Sequence, residues 1–214
     1  MRVVVGMATT AKREEFACKA IKSLEANTVK PEIWLYNNGK NSQDLTDNGK
    51  FYALRMIKEP CYYFSCDDDI IYPEDYIESM IADIERHNCI ITHHGRILTG
   101  KDKDYYQGHY KFTCLRSNPN RCRIDVAGTG VTAFRTDYFN PIDICYSEHK
   151  KMADCVFSLE AAKQNKKIML TPHSNGWFKD LKVPKELTIY ETKHKDCKQQ
   201  TLLCNEILKL EPAR

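Results

Sequence analysis

The chain has 214 residues, 42% of them hydrophobic and 29% charged, a composition able to bury one sizeable core. Its 32 Lys and Arg stand against 29 Asp and Glu, and the resulting net charge of +3 makes no electrostatic case for nucleic acid or an anionic membrane. No apolar run approaches the ~20 residues of a membrane helix, and the strand-like Arg2-Val3-Val4-Val5 leaves no secretory signal in view, so a soluble cytoplasmic protein is expected.

In chain order, Val3 to Met7 suits a buried parallel strand. Thr9 or Thr10 can cap the helix that follows, which places Phe16, Ala17, Ala20, Ile21 and Leu24 on one face. Pro31 restarts the chain into a second strand, Glu32 to Tyr36, ended by Asn37-Asn38-Gly39. A helix-like stretch around Phe51, Leu54 and Arg55 leads to a third strand, Cys61 to Cys66. Pro73-Glu74-Asp75 opens a helix with Tyr76, Ile77, Met80, Ile81 and Ile84 inward, and Cys89 to Thr92 forms a fourth strand. The second half is less regular. Strand-like pieces fall at Tyr110–Leu115, Arg123–Ala127 and Val131–Arg135, with Gly128-Thr129-Gly130 before the last. A helix over Met152–Asn165 turns Val156, Leu159 and Ala162 inward, Lys167–Leu170 is a further strand, and Lys195–Leu210 is a surface-packed helix using Leu202, Leu203, Ile207 and Leu208. This alternation predicts an α/β layered sheet, mainly parallel at the start, with ligands beyond the carboxyl ends of its strands.

Ten cysteines contain no C-x-x-C pair, and Cys18, Cys66 and Cys155 fall in apparent core segments, so reduced thiols are expected rather than disulfides or zinc.

The sharpest feature is Asp67-Asp68-Asp69 at the third strand's end. Three adjacent carboxylates beside an apolar strand need a counter-charge, which a hard divalent cation supplies through oxygen ligands. Strand alternation would put Asp67 and Asp69 on one side and Asp68 on the other, unless the turn begins earlier. A solvated acidic turn capping the next helix is the plainer alternative. Two more candidate sites, Ala8-Thr9-Thr10 and Asn37-Asn38, lie at strand ends that such a sheet brings together.

On these residues the chain resembles glycosyltransferases of the GT-A fold, close to the family 2 type, over most of residues 2–178. Met7-Ala8-Thr9-Thr10-Ala11-Lys12-Arg13 resembles the family's opening strand and Pro-Thr-x-x-Arg turn. Phe64 to Pro73 resembles its metal-binding DxD strand, and Met152 to Leu159 its Glu-Asp helix carrying the catalytic base. More narrowly, the chain is similar to the small GT-A modules of large chlorella-virus glycosyltransferases that build capsid glycans. Two departures stand out: Asn37-Asn38 replaces the family's Asp after the second strand, and Ala153 replaces the Glu.

The resemblance implies a single GT-A domain. Its nucleotide-sugar half spans about 1–92, its acceptor and catalytic half about 93–180, and an extension with a helix covers 181–214. It implies Mn²⁺ or Mg²⁺ on Asp69 and Asp67, with His173 as a further ligand, and a nucleoside diphosphate sugar, first a UDP-sugar. That donor is held by Ala8, Thr9, Thr10, Arg13, Asn37, Asn38, Asp67 and Asp68. Asp154 is then the base for an inverting transfer to a glycan or glycoprotein acceptor, with Asp125 and Glu148 next in line. Gly128, Thr129, Gly130 and Trp177 face the acceptor or transferred sugar, while His93-His94 is structural or solvent-facing. A nucleotide-sugar-binding module without catalysis and a sugar nucleotidylyltransferase are the alternatives. The latter lacks its Gly-rich phosphate loop after the first strand, here Gly6-Met7-Ala8-Thr9-Thr10.

Overall fold

In the computed structural model, residues 1–41, 43–188 and 197–210 are described. The strands are β1 (Arg2–Thr9), β2 (Glu32–Asn37), β3 (Cys61–Cys66), β4 (Ile70–Ile71), β5 (Ile90–Thr92), β6 (Gly95–Ile97), β7 (Tyr110–Phe112), β8 (Cys122–Ile124), β9 (Val126–Ala127), β10 (Val131–Arg135), β11 (Ile168–Leu170) and β12 (Lys179–Asp180). The helices are α1 (Glu14–Glu25), α2 (Tyr76–His87), α3 (Ala153–Lys163) and α4 (Lys198–Leu210).

A seven-stranded mixed sheet runs in the order β2-β1-β3-β10-β5-β11-β8. β1 pairs in parallel with both β2 and β3, and Val3 to Met7 is buried throughout, as a strand covered on both faces should be. β10 enters antiparallel between β3 and β5, with Val131 opposite Cys66. Its first residues therefore lie beside the last residues of β3. β11 runs parallel to β5, and β8 closes the far edge antiparallel. Three short strands make a separate sheet, β7-β6-β9.

One face of the sheet packs on α1 and α2, burying Ala17, Ala20 and Leu24 from the first and Tyr76, Ile77, Met80 and Ile84 from the second. The other face packs Phe134, Phe139 and Phe157 around Tyr63 and Phe51. The α2 helix ends at Asn88, whose N–H still bonds the Ile84 carbonyl and whose left-handed conformation at φ 45° then turns the chain away.

Several expectations change in detail. The stretch around Phe51 is a 3₁₀ helix, Thr46–Arg55, because it opens on Asp47-Asn48-Gly49, a run of poor α-formers. Arg123–Ala127 divides between two sheets, β8 joining the large one and β9 the small one, with Asp125 at the crossing. The α3 helix is covered nearly all round, by the sheet on one side and α4 on the other. Cys155, Phe157, Ser158 and Ala161 are therefore buried with Leu159, while Val156 and Ala162 are only partly so. In α4 the inward residues are Leu203, Cys204 and Ile207, and Leu202 is 61% exposed; the first residues of the expected helix lie outside the described residues. Cys18 is exposed on α1 rather than in the core, and all ten cysteines are free thiols. Among the described residues, no helix is long and apolar enough to cross a membrane.

Candidate active site at the sheet rim

Three segments meet at the carboxyl end of the parallel strands: the end of β1, the acid turn after β3, and the Gly128–Gly130 loop that enters β10. The turn begins immediately after Cys66, so the three acids do not alternate as a strand would place them. Buried Tyr72 fixes the junction: its hydroxyl accepts the Asp67 N–H at 2.7 Å and donates to the Gly130 carbonyl at 2.7 Å. A Cβ on Gly130 would overlap Asp67 Oδ2 and Cγ and stand 3.0 Å from Asp67 Cβ, so only glycine admits this carboxylate. The close approach expected for a sugar at this loop is thus made by the chain's own Asp67, and at Gly128 by the His94 ring.

Each acid has its own partner. Asp67 is ion-paired to Lys50, which is only 4% exposed. Lys50 is held because the Tyr63 hydroxyl donates to its carbonyl at 2.6 Å, in space that a side chain on Gly6 would fill. Burial disfavours the Lys50 ammonium, but Asp67, Asp47 and Asp154 outweigh it and raise the group above an ordinary lysine. Burial also works against the Asp67 carboxylate, and Lys50 overcomes it, so Asp67 ionises below the usual range.

Asp68 is 5% exposed and accepts from Thr9 Oγ1 at 2.6 Å and Arg13 Nη2 at 2.5 Å. Burial pushes its carboxyl up to about 6; Arg13 and Thr9 pull it down but only partly offset that burial, and Asp69 and Asp67 add smaller repulsions. Arg13 Nη2 also reaches Asp69 at 2.9 Å, and burial and the Asp67 charge raise the Asp69 carboxyl. Thr9 is therefore no helix cap, and Thr10, at the cap position, makes no side-chain capping bond.

Two clefts open from this rim. The first, about 590 Å³, is lined by Ala8, Thr9, Thr10, Arg13, Asn38, Asp47, Lys50 and all three acids. The second, about 320 Å³, is lined by Asp154, Thr129, His94, Arg96, Tyr105 and Lys111, among others. They share Asp47, Lys50, Asp67 and Lys151 as a common wall. Asp154 sits in the first turn of α3, where Thr129 donates to its Oδ1 from both N, at 2.8 Å, and Oγ1, at 2.7 Å. Asp47 Oδ2 accepts the Ala153 N–H at 3.0 Å and so anchors the start of that helix to the common wall. His94 is pushed down to about 4, mainly by burial, against the opposing pull of Asp154.

Asn37 and Asn38 are engaged internally. Asn37 binds Glu14 Oε1 and the Gly39 N–H, and Asn38 binds the carbonyls of Thr9 and Thr46 and the Leu45 N–H. Only Asn38 lines the first cleft.

His173 and Trp177 lie elsewhere. His173 Nδ1 is 3.2 Å from His93 Nδ1, and both rings pack with Trp177 and Phe178 in an aromatic cluster beside Tyr76. Trp177 donates from Nε1 to Asp75 at 2.9 Å. Neither lines the two clefts: β12 pairs with β4 and carries this segment onto the α2 face. Asp125 accepts the Leu98 N–H at 2.6 Å, and the Glu148 side chain is 90% exposed; neither lines the Asp154 cleft.

Lys50, Asp47, His94 and Arg96 are among the lining residues that sequence reasoning missed. Asp47-Asn48-Gly49 breaks a helical reading and was the available signal for the first two. Among the described residues, no three His, Cys, Asp or Glu side chains are grouped as a ready-made metal site. Asp67 spends Oδ1 on Lys50 and Asp69 spends Oδ2 on Arg13, so among the described residues each keeps one hard oxygen, Asp67 Oδ2 and Asp69 Oδ1, of the donor type a divalent cation takes. The chain matches no protein-family model and no curated protein.

Proposed function

We propose that this chain is a GT-A glycosyltransferase, inverting and dependent on Mn²⁺ or Mg²⁺. It moves a sugar from a nucleoside diphosphate sugar, first a UDP-sugar, to a hydroxyl of a glycan or glycoprotein acceptor. One observation carries the reading: a cleft walled by the three carboxylates of the acid turn and by the buried cations Arg13 and Lys50 adjoins a second cleft that presents a separate carboxylate, Asp154. Donor and acceptor can then meet across the shared wall of Asp47, Lys50, Asp67 and Lys151.

In this reading the donor lies in the larger cleft along Ala8, Thr9 and Asn38. Asp67 Oδ2 and Asp69 Oδ1 would hold the metal ion. When bound, it supplies Lewis-acid stabilisation of the departing diphosphate. Lys50 keeps Asp67 ionised, and Arg13 fixes Asp69 through its Oδ2. The acceptor oxygen attacks the anomeric carbon as the bond to the diphosphate oxygen breaks, and the bond's electron pair leaves with the diphosphate. Asp154 takes the acceptor proton on Oδ2, since both Thr129 bonds go to Oδ1. A base opposite the leaving group gives one displacement, hence inversion.

A second reading, a nucleotide-sugar-binding module without turnover, draws on Ala153 standing where the resembled helix has Glu. Titration with UDP, with and without Mn²⁺, tests the donor site. Wild type should bind in a metal-dependent way and Asp69→Ala should lose that dependence; equal UDP affinity in the two proteins rejects the site. Release of UDP from UDP-sugars, followed with an acceptor panel, separates the transferase from the module.

A further inference from the structure

The second cleft carries more positive charge than its carboxylates use. Lys50, Arg96, Lys111 and Lys151 line it against Asp47, Asp67 and Asp154. Lys50 is committed to Asp67, Asp47 anchors α3, and Asp154 is held by Thr129. Arg96 differs. It is 5% exposed, yet its guanidinium forms no ion pair with any described carboxylate. Nη1 donates to the Tyr105 hydroxyl at 2.9 Å, and the guanidinium lies 4.1 Å from the Tyr105 ring centre and 6.0 Å from that of Tyr106. These contacts lock the fork in place but leave its charge without a paired carboxylate among the described residues, an expensive state for a buried cation. The Lys111 ammonium is held below its ordinary range by burial and by Arg96, so the two cations repel each other across one patch.

We propose that this patch recognises an oxyanion on the acceptor: Arg96, with Lys111, binds a carboxylate or phosphate group of an anionic glycan whose hydroxyl faces Asp154. The inference rests on the transferase reading, because it assigns the acceptor for that same site. A planar, pre-oriented guanidinium matches a carboxylate or phosphate and gives a neutral sugar nothing comparable. The donor's own diphosphate is the competing anion, and its place is the other cleft.

The test is a binding titration by NMR, on the full chain saturated with UDP and diamagnetic Mg²⁺. The probes are methyl β-glucuronide, glucose 6-phosphate and methyl β-glucoside. At least one anionic sugar should bind at least about tenfold tighter than the neutral one, the expected worth of a charge-assisted contact. The tighter of the two identifies the carboxylate or the phosphate. Arg96→Gln should erase the preference while UDP affinity is unchanged. Equal binding of all three sugars or a preference retained in Arg96→Gln would overturn the proposal. Should Arg96→Gln fail to fold, Lys111→Ala, at an exposed position, must narrow the preference by roughly threefold at low salt; an unchanged preference overturns it equally. If UDP does not bind but the Arg96-dependent preference persists, the donor reading fails and the anion site stands.

Discussion

Gly130→Ala tests whether the Asp67 carboxylate must sit where it does. Rotation of Asp67 about χ1 can relieve the overlap with Oδ2 and Cγ, but its Cβ stays 3.0 Å from the added methyl, so the backbone must also shift. That backbone is pinned by the Tyr72 hydroxyl to both Asp67 and Gly130 and by the Asp67 N–H to the Gly130 carbonyl at 3.2 Å. Overpacking of this kind costs about 1–3 kcal/mol, and in a chain of this size each kcal/mol lowers Tm by roughly 2–4 °C. Rotating Asp67 also separates it from Lys50 and from Asp69. The variant should therefore unfold some 2–12 °C lower by roughly that conversion and lose metal-dependent UDP binding by more than about tenfold, well beyond what its stability loss alone implies. Circular dichroism melting and UDP titration with Mn²⁺ measure the two effects. Wild-type UDP affinity in a folded Gly130→Ala protein would refute the claim that Asp67 needs this position.

Asp154→Asn should keep UDP binding and lower turnover by roughly 10²–10⁴-fold, the usual worth of a positioned base; near-normal rates would move the base elsewhere. Lys50→Met removes the partner of Asp67 and a cation beside Asp47, and should destabilise by about 2 kcal/mol, discounted because the Asp67 side chain is 40% exposed. Denaturant unfolding measures it, and adding Asp67→Asn should recover part of the loss. His94 ionises at about 4 when folded and near 6.5 when unfolded, so its contribution is complete above pH 6.5 and is lost as pH falls toward 4. His94→Gln should therefore reduce the loss of stability between pH 7 and pH 5 by about 2 kcal/mol in urea titrations at the two pH values. An identical pH dependence in the two proteins would deny that His94 is buried neutral.

The first half of the molecule was readable because its strands and helices carry plain periodicity. β1, β2, β3 and α2 fall where Val3–Met7, Glu32–Tyr36, Cys61–Cys66 and Pro73-Glu74 put them. The convergence of Ala8–Thr10 with the acid turn followed from parallel pairing alone. What stayed hidden depends on direction and distance. Nothing in Val131–Arg135 announces that it runs antiparallel beside β3, and that reversal brings Thr129 to Asp154 and Gly130 to Asp67. Lys50 reads as one more surface lysine until Tyr63 and Gly6 are seen to bury it. Trp177 and His173 have the chemistry of ligand-binding residues, but the pairing of β12 with β4 turns them toward Tyr76 and His93.

The reversed course of β10 has a consequence for how this rim can vary. A strand that departs from the rim is preceded, not followed, by the loop that shapes it, so the lead-in from His94 to Thr129 contributes His94, Arg96 and Thr129 without passing through the acid turn. Segments of that lead-in, such as the stretch around Tyr105 and Lys111, can be lengthened or exchanged while β1 and β3 keep their register. The two partners of a transfer would then be selected by separate stretches of polypeptide, and one could change its preference while the other stayed as it is.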